Sequence, residues 1–206
     1  MRNILGMLTF FPATILILSP QTALAQRAGT LIAAQPAGTA PPGMRAWRIH
    51  YWTTNERRQP VRVTGMVIAP DAPANGPRRV IAWTHGLVGI ARRCAPSTGD
   101  GNFTVIPGLQ DAIGRGYTVV APDYPGLGSD GVHPVLVGES EGRSTLDAVR
   151  AARGIPAANA GTRFVVWGES QGGHAALWTG QIWRSYAPDL QLAGITAIVP
   201  PTERPR

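Results

Sequence analysis

Ser170 sits in Gly168-Glu169-Ser170-Gln171-Gly172, a Gly-x-Ser-x-Gly pattern between the apolar run Phe164–Trp167 and a helix-forming run that starts at Gln171. A serine hydroxyl placed this way can attack a carbonyl carbon and hold the acyl group covalently. The glycines matter because a strand-to-helix turn this sharp leaves no room for side chains beside the serine. The expected result is a hydroxyl perched above the end of a sheet, at the N-terminus of a helix. Ser170 is therefore the candidate nucleophile.

Attack on a carbonyl puts negative charge on its oxygen, and backbone N–H donors must already point there. The residue after the nucleophile, Gln171, supplies one candidate donor. The second is expected from the loop after the third strand, which reads Trp83-Thr84-His85-Gly86-Leu87-Val88-Gly89. Gly86 or Leu87 is the donor there, and the sequence does not choose between them. His85, Tyr124 and Leu127 are candidates to line the pocket. Asp123, in Ala121-Pro122-Asp123-Tyr124-Pro125-Gly126, precedes the serine and reads as a carboxylate accepting turn amides rather than as a triad acid. Among the histidines, His50 reads as a surface or packing residue and His133 sits in a long loop. His174 lies one helical turn past Ser170 and reads as packed or hydrogen-bonded. The acids after Ser170 are Asp189 and Glu203, and no histidine follows either. A triad in the order Ser, acid, His cannot be completed within this chain.

These residues need a scaffold. Trp47–Thr53 and Val61–Ala69 alternate in polarity and read as a hairpin at a sheet edge. Val80–Thr84, Tyr117–Ala121, Arg163–Trp167 and Leu192–Val199 are short apolar runs of the kind found in buried parallel strands. Helices are expected over 107–115, 142–153 and 171–186, with Ser140 capping the second and Arg143, Arg150 and Arg153 on its polar side. Strands alternating with helices give an α/β fold, a mostly parallel sheet with helices on both faces. Residues 26–44, rich in Ala, Gly and Pro, read as an extended lead-in, and 45–206 as one domain.

Composition narrows the function classes. Hydrophobic residues make up 44% and charged ones 15% of the 206, enough for a packed core. The net charge is +7, yet every basic residue is an arginine and they are scattered as pairs such as Arg57-Arg58 and Arg92-Arg93. No basic patch is interleaved with stacking aromatics, which argues against a nucleic-acid surface. Arg2, the apolar stretch Ile4–Leu18 and Ala23-Leu24-Ala25 make 1–25 a secretory signal peptide. No other run is long enough to cross a bilayer, so a secreted or periplasmic product is expected. The single cysteine, Cys94, excludes a structural zinc site built of thiolates.

Taken together, Thr84-His85-Gly86-Leu87, Cys94-Ala95-Pro96-Ser97, the run Ala121–Arg153 with Asp123-Tyr124-Pro125-Gly126-Leu127-Gly128 and Ser140-Glu141-Gly142-Arg143, and Trp167–Leu177 resemble the secretory lipase family, lipase A type. The resemblance covers most of residues 45–200. It implies an α/β-hydrolase fold and hydrolysis of carboxylic esters, acylglycerols included, without cofactor or metal. It also implies Ser170 as nucleophile, with Gln171 and the His85–Leu87 loop at the oxyanion hole. Such lipases are about twice as long, so the expectation is a C-terminally incomplete domain with little activity alone. An acyl ester or lipid substrate and peripheral contact with lipid surfaces follow from the same resemblance. The alternatives are an acyltransferase or peptidase on the same fold, and a non-catalytic secreted remnant or binding protein.

Overall fold

The computed structural model describes residues 27–38, 40–99 and 102–202. The signal-peptide expectation for 1–25 lies outside them. Seven strands form one sheet: β1 (Leu31–Pro36), β2 (Met44–Thr54), β3 (Pro60–Pro70), β4 (Arg78–Thr84), β5 (Thr118–Pro122), β6 (Ala160–Glu169) and β7 (Gln191–Ile198). Among the described residues three α-helices accompany it: α1 (Leu109–Gly114), α2 (Gly138–Ala152) and α3 (Gln171–Tyr186). The strand order is β1-β2-β3-β5-β4-β6-β7. Strands β5, β4, β6 and β7 pair in parallel, while β1, β2, β3 and β5 pair antiparallel. The sheet is thus mixed, with its parallel part under the serine.

Alternation along the strands sorts side chains onto two faces. Ile49, Tyr51, Val63, Val67, Val80, Val120, Phe164 and Val166 pack with Leu146 and Val149 of α2 and Ala176 of α3. The residues between them, including Ala46, Met66, Ile68, Trp83 and Val119, pack with Leu109 and Ile113 of α1 and with Phe103. Both faces are covered by helix, which is why β4 and β5 read as unbroken apolar runs.

Three expectations change. The lead-in holds a strand, β1, paired to β2, so the β2–β3 hairpin is not the sheet edge. Alanine and proline weaken the strand signal of Leu31–Pro36, and only pairing reveals it. Helix α2 begins at Gly138, so Ser140 lies inside it, buried, and is not its cap. Its first turn is held instead by Glu141, whose Oε1 accepts the Leu136 amide at 3.0 Å. Arg143 and Arg150 are drawn inward rather than spread over a polar face. Arg143 pairs with Glu139 at 2.7 Å and Arg150 with Asp147 at 3.0 Å. Asp147 itself is fully buried and also accepts hydrogen bonds from Thr53 (2.7 Å) and Tyr186 (2.6 Å).

Candidate active site

Strand order reverses at β4, whose neighbours β5 and β6 both follow it in sequence, and a crevice opens beyond the carboxyl ends of strands at such a point. Ser170 terminates β6 there, and Thr84-His85-Gly86 leaves β4 beside it. The turn is built by near-contact of backbones. A Cβ on Gly172 would stand 1.8 Å from the Thr84 carbonyl oxygen, and one on Gly168 would stand 2.1 Å from the Gly172 oxygen. The Thr84 hydroxyl fastens the corner by donating to the Gly172 carbonyl at 2.8 Å.

Ser170 takes φ 53° and ψ −121°, a conformation that costs a non-glycine residue about 1–3 kcal/mol. It persists because the corner is over-determined. The Ser170 amide donates to Ile198 O at 2.9 Å, and its carbonyl accepts the His174 amide at 3.1 Å. The side chain is exposed and opens on a cleft of about 550 Å³ whose walls include His85, Gly86, Leu87, Val88 and Val105.

The structure brings most of the expected residues to this cleft. Gln171 is the first residue of α3, so its amide has no intrahelical acceptor. Gly86 lies against the serine, and Leu87 is 56% exposed on the wall. Tyr124 and Leu127 are different: both are fully buried beneath the cleft and do not line it. Leu127 packs with Ala95 and Ala175. Tyr124 lies between the rings of His85 and His133 and donates its hydroxyl to His85 O at 3.2 Å.

The titratable groups are already engaged. His85 donates from Nδ1 to Gly86 O at 2.7 Å; burial pulls its pKa below the usual histidine range, so the ring is neutral. Asp123 accepts from the Ser97 amide (2.9 Å), the Ser97 hydroxyl and Thr64 (2.6 Å), and burial raises its pKa. These contacts make it a carboxylate that ties loops together. Glu141, fully buried on α2, accepts Gln171 Nε2 at 2.7 Å and His174 Nδ1 at 2.9 Å. His133 accepts a second hydrogen from Gln171 Nε2 at 2.8 Å. Glu141 is the site-related residue that sequence reasoning missed; its only signal was its place in the Ser140–Arg143 run. No histidine nitrogen of the described residues is hydrogen-bonded to Ser170. No three His, Cys, Asp or Glu of the described residues are grouped to hold a metal ion. No described helix is long and apolar enough to cross a membrane.

The stretch from Asn102 to Glu203, which contains the corner, the cleft floor and α2, matches the family model of secretory lipases. Lipase A of Moesziomyces aphidis is 28% identical over 160 residues, covering 72% of this chain and 34% of that protein. A probable inactive lipase of Mycobacterium tuberculosis is 28% identical over 169 residues, covering 76% and 37%. Among solved structures, Candida antarctica lipase A in its closed state superposes with a TM-score of 0.69 at 26% identity, over 82% of this chain and 41% of that one. The rice cell wall degrading esterase of Xanthomonas oryzae gives 0.68 at 26%, over 80% and 48%. The fold is that of the α/β-hydrolases. The chain spans about a third of the length of the curated relatives it matches.

Proposed function

We propose that this chain carries the nucleophile and the oxyanion-binding amides of a secreted carboxylic-ester hydrolase of lipase type. One observation carries the reading: the Ser170 hydroxyl opens into an apolar-walled cleft from a strained corner, with Gly86 against it. Ser170 Oγ attacks the ester carbonyl carbon, and the carbonyl electron pair moves onto oxygen. The Gln171 amide, with that of Gly86 or Leu87, receives the resulting charge. The Ser170 hydroxyl gives its proton to solvent water as the new C–O bond forms, collapse breaks the ester C–O bond, the leaving oxygen takes a proton from water and departs as the alcohol, and the acyl-serine remains for water to hydrolyse. The cleft suits a neutral acyl ester, because Glu169 is the one charged side chain among its lining residues. The exposed Leu87, Val88, Ile90 and Val105 give the cleft and its adjoining loops an apolar surface suited to a lipid interface. Secretion rests on the signal-like pattern of residues 1–25.

In this fold the acid and the histidine follow the serine in the chain. The described residues place no base on Ser170, so the reading assigns them binding and charge stabilisation. Hydrolysis of p-nitrophenyl butyrate tests this: a slow rate that disappears in Ser170→Ala is expected. Fast turnover, or turnover indifferent to Ser170→Ala, contradicts it. A second reading, a secreted non-catalytic protein, is favoured by the hydrogen bonds that engage His85, His133 and His174 elsewhere. It predicts no Ser170-dependent hydrolysis at all.

A further inference from the structure

We propose that Glu141 is a positioning residue for the reaction, the anchor that fixes the Gln171 backbone amide at the oxyanion site. The inference rests on the reading of Ser170 and Gln171 given above. Gln171 is 2% exposed, and its side chain is held from two sides. Nε2 donates one hydrogen to Glu141 Oε1 at 2.7 Å and the other to His133 Nε2 at 2.8 Å. His133 can accept because its Nδ1–H is donated to Pro125 O at 3.1 Å. Turning the Gln171 amide over would set its oxygen against the Glu141 carboxylate and the His133 lone pair. The side chain therefore has one orientation, although Gln171 Oε1 gains no partner among the described residues from it.

Glu141 is fixed in turn. Its Oε1 takes the Leu136 amide at 3.0 Å and its Oε2 takes His174 Nδ1–H at 2.9 Å. Trp178 donates to His174 Nε2 at 3.0 Å, which fixes the proton on Nδ1. The Ser170–Gln171 peptide is thus held at both ends. Its carbonyl accepts the His174 amide at 3.1 Å, and the residue bearing its N–H is tethered to Glu141. A carboxylate buried with no arginine beside it is costly, and an apolar side chain would fill the space without that cost. Its gain is orientation of the first amide of α3, which has no helical acceptor.

The test compares fluorophosphonate labelling and amide spectra of the whole chain in several variants. Glu141→Leu is expected to slow labelling about ten-fold or more at saturating probe, with the half-saturating concentration unchanged, because a misaimed oxyanion donor costs rate. Glu141→Gln keeps an acceptor toward Gln171 and restores part of the rate, because its amide N–H₂ then faces the His174 Nδ1–H. Ser185→Ala, exposed on the same helix as Gln171 and outside this network, leaves the rate within about two-fold. The second readout needs no reactivity: the order parameter of the Gln171 N–H falls from the rigid range, about 0.85, toward about 0.6 in Glu141→Leu and not in Ser185→Ala. If Glu141→Leu does not fold, Gln171→Met breaks the same tether and takes its place in both measurements. A wild-type rate in Glu141→Leu, or an unmoved Gln171 amide there, overturns the proposal. A wild-type chain that takes no label counts against the hydrolase reading instead, and the order parameter of the Gln171 amide still decides the anchor.

Discussion

A Cβ added to Gly86 would stand 3.6 Å from the Cβ of Ser170 and 3.4 Å from the Glu169 carbonyl oxygen. The loop leaving β4 therefore touches the corner ending β6. Both distances are ordinary van der Waals contact, so Gly86→Ala should fold with stability changed by about 0.5 kcal/mol or less. Its methyl would nevertheless occupy the space beside the nucleophile. The expected outcome is an unchanged melting temperature with slower acylation of Ser170, read by thermal unfolding and by probe labelling. A melting temperature and a labelling rate that fall together would contradict it.

Gly172 is the opposite case. Any Cβ there meets Thr84 backbone at 1.8 Å, and neither the start of α3 nor the end of β4 can yield without disturbing the corner. Gly172→Ala should cost about 3 kcal/mol or more. Gly114, in α1 with nothing near its missing Cβ, provides the control: Gly114→Ala should gain up to about 1 kcal/mol. Denaturant unfolding of the two variants checks the contrast.

Ser170 carries strain that a glycine would not. Relief of about 1–3 kcal/mol, less about 0.4–1 kcal/mol for the freer unfolded chain, leaves Ser170→Gly more stable than the wild type. Loss of the nucleophile with a gain in stability is the expected pair of results. A less stable Ser170→Gly would mean that the corner is not strained.

Asp147 makes stability depend on pH. Burial, first among its causes, raises its pKa from 3.8 to about 6, against the hydrogen bonds from Tyr186 and Thr53 and the charge of Arg150. The folded chain then binds more protons than the unfolded one between about pH 4 and 6, so stability falls as pH rises through that window. The loss is on the order of 3 kcal/mol and is complete above the folded value. Asp189 acts the other way and lower, because Arg150 depresses its pKa and its contribution is lost as pH falls. Asp147→Asn should flatten the slope between pH 4 and 6 in denaturant titrations, whatever its effect on overall stability.

The corner and its scaffold were legible because local chemistry dictates them. Gly-x-Ser-x-Gly between an apolar run and a helix former admits few backbones, and α3 spans the expected residues 171–186. What escaped depends on distant partners. β1 is a strand only because β2 lies beside it. Tyr124 and Leu127 follow β5 in the chain, and only the fold seats them below the cleft rather than on its wall. Glu141, Arg143 and Arg150 look like a solvated helix face until Gln171, Glu139 and Asp147 are seen to receive them. Charged side chains announce burial in sequence only through partners that sequence does not place.

Peptide mapping of the whole chain after fluorophosphonate treatment tests the central claim most directly. The account predicts slow, stoichiometric phosphonylation at Ser170 alone, absent in Ser170→Ala. No adduct at Ser170, or adducts shared among other serines such as Ser97 and Ser185, would contradict it.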